Sequence, residues 1–118
     1  MNEVRSSHGL KPLRVDPRLT RAARSHSLDM VRRQYFAHGA FVPRLKRFNV
    51  RGPRLGENLA WGVGSLAHAR SIVAGWMGSP PHRANLLRPA FRRVGIGNVV
   101  GRFAGHARAR VVTADFAG

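Results

Sequence analysis

Between Asp16 and Arg33 the apolar positions recur at helical intervals. Leu19, Ala22, Ala23, His26 and Met30 fall on one stripe, while Arg18, Arg21, Arg24 and Arg32 fall elsewhere. Asp16 and then Pro17 supply an N-cap and a proline at the first helical position, so a helix is predicted from there that ends in "YFAHG". Leu28 lies on the arginine side, which predicts partial cover on both faces of this helix. A shorter helix is predicted over Asn2–Ser7, closed by Gly9. "PRLKRF" offers a helical turn with Leu45 and Phe48 on one face. Gly52 and Pro53 then break the chain before "LGENLAWG", which reads as a short strand. Ser65 is expected to cap another helix whose buried stripe is Leu66, Ala69, Ile72, Val73 and Trp76.

In "GSPPHRANLL" (78–87), Pro80 and Pro81 suit a helix entry, because they fix φ and lack the N–H that an interior position needs. Ser79 is then the expected N-cap, its side-chain oxygen accepting an orphan N–H. His82 falls in the first turn, with Ala84, Leu86 and Leu87 as the apolar side and Pro89 as the stop. Two β-branched runs, "VGIGNVV" and "ARARVVTADF", are joined through "GRFAGH" and read as a hairpin. Helices first and a late antiparallel hairpin predict an α+β domain or a three-layer sandwich.

At 118 residues the chain is expected to form a single domain, residues 1–118. An apolar content of 43% indicates a globular chain and not a disordered basic tail. With no cysteine, a disulfide framework, a cysteine-based zinc site and a thiol nucleophile are all excluded. No apolar run approaches a membrane span, and the opening "MNEVRSSHG" lacks the pattern of a signal peptide. The net charge of +16 arises from 19 arginines and two lysines against five acidic residues. Such a field attracts nucleic acid, phospholipid head groups or acidic envelope polymers. The arginines are scattered, and Phe, Trp and Tyr total only nine, so there is no array for stacking single-stranded bases. An arginine-rich composition spread over solvated faces is favoured over a dedicated nucleic-acid site.

Few polar residues stand in apolar company: His26, His38, Glu57, Asn58, His82 and Asp115. Glu57 is central, since a buried carboxylate needs a partner. A structural ion pair with an arginine is one reading. The other has Glu57 facing His38 and His82 across a cleft, where two neutral imidazoles and a carboxylate suit zinc or another divalent cation. Spacing does not decide between them, and composition favours the ion pair. His26 reads as a packed core histidine, and Asp115 as a cap or the partner of an arginine. Trp61 and Trp76 read as core, while His8, His68 and His106 lie near turns or exposed faces. There is no GxSxG elbow, and Ser25, Ser27 and Ser79 have no recognisable base and acid partners for nucleophilic catalysis.

As a set, "YFAH", "GENLAWG", "IVAGWMGSPPHRANLL", "VGIG" and "VVTADFAG" resemble the bacterial branch of the CAP superfamily (cysteine-rich secretory proteins, antigen 5 and pathogenesis-related 1 proteins, also called SCP-like domains). "NEVRSSHGLKPLRVDPRLTRAARSHSLDM" is similar to the family's first two helices, so the likeness covers nearly the whole chain. The resemblance implies a three-layer α-β-α sandwich with a small antiparallel sheet between helices. It also implies a central cavity with two histidines and two glutamates that binds a divalent metal in some members. Carried onto this sequence, the set is His38, Glu57 and His82, with Asn58 beside them and Ser79 where the second glutamate would stand. His38, Glu57 and His82 are thus candidate ligands for a divalent cation such as zinc, with one negative charge fewer than the family pattern.

From the resemblance the expectation is an extracellular or envelope-associated, non-catalytic, monomeric binding domain for an anionic surface, a lipid or an envelope polymer. Two alternatives stand beside it. One is a metal-dependent hydrolase with Glu57 as general base. The other is non-specific nucleic-acid binding through the arginine surplus.

Overall fold

In the computed structural model, which describes residues 1–118, the elements run α1 (Asn2–Ser7), β1 (Arg14–Val15), α2 (Pro17–Arg33), α3 (Phe41–Arg47), β2 (Leu55–Gly62), α4 (Ala69–Met77), α5 (Pro80–Leu86), β3 (Arg93–Phe103) and β4 (His106–Ala117). The strands form one sheet in the order β1-β3-β4-β2, with helices packed on both faces. The expected α+β architecture is present, with one correction. The sheet is mixed, because the two-residue β1 runs parallel to β3 while the other pairings are antiparallel. β1 forms where the backbone N–H groups of Arg14 and Asp16 reach the carbonyls of Arg92 and Val94. Asp16 then turns the chain into α2, capping the N–H of Arg18 at 2.9 Å.

β4 is the centre of the fold. Its side chains alternate between the two faces, and both faces are covered, which is why "VVTADFA" is buried without a break. Val112, Ala114 and Phe116 pack with Ile72 and Trp76 of α4 and Leu86 of α5. Val111 joins Met30 of α2 and Leu59 of β2 on the opposite face, where Thr113 Oγ1 meets Ser27 Oγ of α2 at 2.8 Å. The helix lies so close to β3 that a Cβ on Gly97 would fall 2.2 Å from the carbonyl carbon of Ala23. The turn of the β3–β4 hairpin is Ala104-Gly105, both at positive φ, as the right-handed twist of the strands favours.

Several local expectations are corrected. α2 stops at Gln34, which is left-handed at φ 53° and donates its amide to the carbonyls of Val31 and Arg102, so "YFAHG" lies outside the helix. Ser65 caps no α-helix: Gly64–Ala67 is a 3-10 turn, α4 begins after His68, and Leu66 and Ala69 are exposed. Ser79 is at the N-cap position of α5, but its side chain makes no cap bond. Of the apolar side expected for α5, Leu86 alone is fully buried, and Ala84 is exposed. Trp76 is core, whereas Trp61 is 38% exposed and lies edge-on to Phe103. No helix is long and apolar enough to cross a membrane.

Candidate functional site

β2 is an edge strand, and the carbonyls of Glu57 and Leu59 are taken up by side chains instead of a further strand. Asn85 of α5 donates to Glu57 at 3.2 Å, and Trp76 of α4 donates to Leu59 at 2.9 Å. This cover blunts the edge and fixes α4 and α5 beside Glu57. Asn58, fully buried, completes the bracing: its Nδ2 donates to the carbonyl of His82 at 3.0 Å, and its Oδ1 accepts from Asn85 at 2.9 Å. The amide of Asn58 is thus used to position α5.

Glu57 points to the other face, toward α2 and α3, directly opposite Asp115 in the β2–β4 register. Its side chain is fully buried. Arg44 of α3 reaches it with Nη1 2.6 Å from Oε2 and Nη2 3.3 Å from Oε1. His38, from the segment after α2, approaches Oε1 with Nδ1 at 2.9 Å. Arg44 also lies 3.5 Å from Asp115 Oδ2 and donates to the carbonyl of His38 at 2.8 Å. Glu57 is therefore ion-paired with an arginine, as the first reading has it, and of the second reading only the contact with His38 is present.

The two carboxyl groups divide their charge. Burial alone would push Glu57 upward, but hydrogen bonds from Asp115 and Arg44, the Arg44 charge and the bond from His38 outweigh it and hold Glu57 below its usual range. Burial first, and then the neighbouring Glu57, push Asp115 up to about 10, so Asp115 keeps its proton at neutral pH. A carboxyl group whose folded value is raised gives stability that is complete below its unfolded value near 3.8 and is lost as pH rises toward the folded value. Asp115→Asn keeps a donor without needing a proton. Its stability relative to the wild type is therefore expected to increase from pH 5 to pH 8 in denaturant titrations. A difference that is flat or falls with pH would contradict the protonated state of Asp115.

His82 stands apart from this pair. Its Nδ1 lies 2.8 Å from Ser79 Oγ, which explains why Ser79 caps no backbone N–H. Burial first, and then the nearby His38, lower its pKa, so its imidazole is neutral at neutral pH. It has no side-chain bond to Glu57, and no carboxylate orients it, so Ser79 and His82 do not make a triad. Ser27 is buried on Thr113 and the carbonyl of Gly97. His26 is core, as expected, with Nε2 donating to the carbonyl of Ala37 at 2.8 Å.

The donors do not fit a divalent cation in this arrangement. No group of three or more His, Asp or Glu side chains is placed to hold one. The carboxylate of Glu57 is already charge-balanced by Arg44 at 2.6 Å, and a dication beside it would face that guanidinium. Arg44 and Asn85 are the two site residues that sequence reasoning missed. Arg44 had one signal: it shares the apolar stripe of α3 with Phe41, Leu45 and Phe48, an odd place for a solvated cation.

The family model for CAP, described as the cysteine-rich secretory protein family, matches residues 1–116. The Bacillus subtilis protein YkwD is 37% identical over 103 residues, covering 83% of this chain and 39% of its own. The B. subtilis membrane protein YlbC is 33% identical over 101 residues, covering 81% of this chain and 28% of its own. The chain thus spans about two fifths or less of these relatives. Among solved structures, an extracellular SCP-domain protein of Bacillus anthracis superposes with a TM-score of 0.82 at 30% identity, covering 98% of this chain and 37% of that one. An outer surface protein of Borrelia burgdorferi shares the fold, with a TM-score of 0.75 at 20% identity over 99% of this chain and 86% of its own.

Proposed function

The chain belongs to the CAP family of cysteine-rich secretory proteins, and on that premise we propose that it is a non-catalytic binding domain that engages an anionic lipid surface or envelope polymer outside the cell. The observation that carries this reading is the Arg44–Glu57 pair. A general base must be free to take a proton from a bound water or substrate. Glu57 is fully buried and committed to Arg44 and His38, and Asp115 behind it carries a proton of its own. The site therefore supports rigid presentation of a cleft and not proton transfer. The extracellular relative from B. anthracis supports the location, and the net charge of +16 supports the anionic partner.

Vesicle sedimentation tests the partner. With phosphatidylcholine alone no binding is expected, and with added phosphatidylglycerol the protein should pellet and be released as salt approaches about 1 M, where the Debye length is about 3 Å. Binding that ignores salt, or that needs no anionic lipid, would contradict the electrostatic reading. Peptide hydrolysis by a clean preparation that disappears in Glu57→Gln would contradict the non-catalytic one.

A further inference from the structure

A cleft of about 660 Å³ opens between the C-terminal half of α2, the segment after it and α3. Three of its twelve lining residues are apolar, which does not suit a lipid tail. Its ionisable wall consists of Arg32, Arg33, Arg44 and Arg47 with His26, His38, Tyr35 and the single acid Asp29. Two of these arginines have partners. Arg44 is balanced by Glu57, and Arg33 lies 3.4 Å from Asp29. Asp29 is further occupied by the Tyr35 hydroxyl, which donates to Oδ2 at 2.5 Å. Arg32 and Arg47 make no hydrogen bond or salt bridge and are exposed. They stand in the last turns of α2 and α3, where each helix end offers about half a negative charge, less than the guanidinium charge gathered there.

A concave wall of one sign focuses potential more strongly than the same charges on a convex face. Guanidinium forks match phosphate oxygens in pairs, which a lysine ammonium does not. The cleft volume admits several phosphate units, and its cations come from two separate helices. Resting on the reading of an anionic partner above, we propose that this cleft is a discrete site for a phosphate-bearing polymer, with Arg32, Arg33 and Arg47 as its guanidinium contacts and the Tyr35–Asp29 pair holding Arg33 in place. The diffuse charge of the remaining surface then supplies attraction, while the cleft supplies the seat.

The test uses long-chain inorganic polyphosphate as probe, at about 0.15 M salt where the Debye length is about 8 Å. It compares the intact protein with Arg32→Gln/Arg47→Gln and with a control pair on other elements, Arg70→Gln/Arg108→Gln. All four positions are exposed, so the folds should be unchanged. The cleft variant is expected to bind about tenfold more weakly or worse, and its slope of log affinity against log salt should be shallower by about two. The control pair should stay within about twofold of the wild type. Equal losses in the two variants would overturn the cleft and leave the diffuse anionic reading standing. Failure of the intact protein to bind either polyphosphate or phosphatidylglycerol vesicles would overturn both. Polyglutamate of matched charge binding as tightly as polyphosphate would overturn the phosphate assignment. Cleft substitutions that weaken vesicle binding but spare polyphosphate would move the site from a polymer to a lipid headgroup and overturn the proposal as stated.

Discussion

Arg44→Met is expected to destabilise the protein by about 3–5 kcal/mol, the range for removing one partner of a buried ion pair. Methionine fills much of the same volume, so the loss is electrostatic and not a cavity. It would leave Glu57 charged and fully buried, with the His38 ring as its remaining close partner and Asp115 beside it. The carbonyl of His38 would lose its donor as well. Adding Glu57→Gln should restore part of the stability, because a neutral amide needs no counter-ion. Urea unfolding of the two single variants and the double variant measures the coupling. A single-variant loss below about 1 kcal/mol, the size of an exposed pair, would show that the pair is solvated. The absence of any rescue would show that the loss came from packing.

Arg5→Met is expected to cost about as much, for a different reason. Arg5 is fully buried in α1 and has no acidic partner. Its guanidinium donates to the carbonyls of Lys11, Leu86, Arg88 and Phe91 at 2.9 to 3.1 Å. One side chain thereby ties α1 to the end of α5 and to the loop before β3. Its removal relieves a desolvated charge but takes the donor from the buried bonds to Leu86 and Phe91 and from the half-buried one to Lys11, while the Arg88 carbonyl keeps the N–H of Phe91. Each buried unsatisfied group costs about 1–3 kcal/mol, so the orphans outweigh the relief and a net loss of about 3–5 kcal/mol follows. Arg5→Lys should recover little, since an ammonium has three donors and no planar fork. Glu3→Gln, on the exposed side of the same helix, should change stability by less than about 0.5 kcal/mol. If Arg5→Met proved as mild as Glu3→Gln, the role of Arg5 as the tie for α1 would be refuted.

The parts of the fold that could be read from the sequence are those set by local chemistry. The Asp16-Pro17 start, the stripe from Leu19 to Met30 and the two β-branched runs carry their element type in their spacing. β1 has no such signal, because its two residues form a strand only where β3 offers its carbonyls. Leu66 followed the helical spacing of Ile72 and Trp76, but the chain around it closes as a 3-10 turn, and that spacing then ceases to describe a face. The contact of His38 with Glu57 is one of two readings that the residues leave open, strengthened by the family resemblance but not decided by spacing, since nothing local links residues so far apart. Asp115 faces Glu57 only through the β2–β4 register, a long-range pairing that no local pattern states. Arg44 was hidden by number, one arginine among 19. Its distinguishing feature, a cation on an apolar stripe, gains meaning once β2 brings Glu57 beneath it.

Whether Glu57 is committed to Arg44 or available to a cation decides between a binding cleft and a metal centre. Isothermal titration of zinc into metal-stripped protein near pH 7.5, beside His38→Ala/His82→Ala, measures this directly. With Glu57 committed, the intact protein should show no binding tighter than about 1 mM, roughly −4 kcal/mol, and should match the variant. Micromolar binding, roughly −8 kcal/mol, that is lost in the variant would contradict it, because His38, His82 and Glu57 would then be holding the ion despite Arg44.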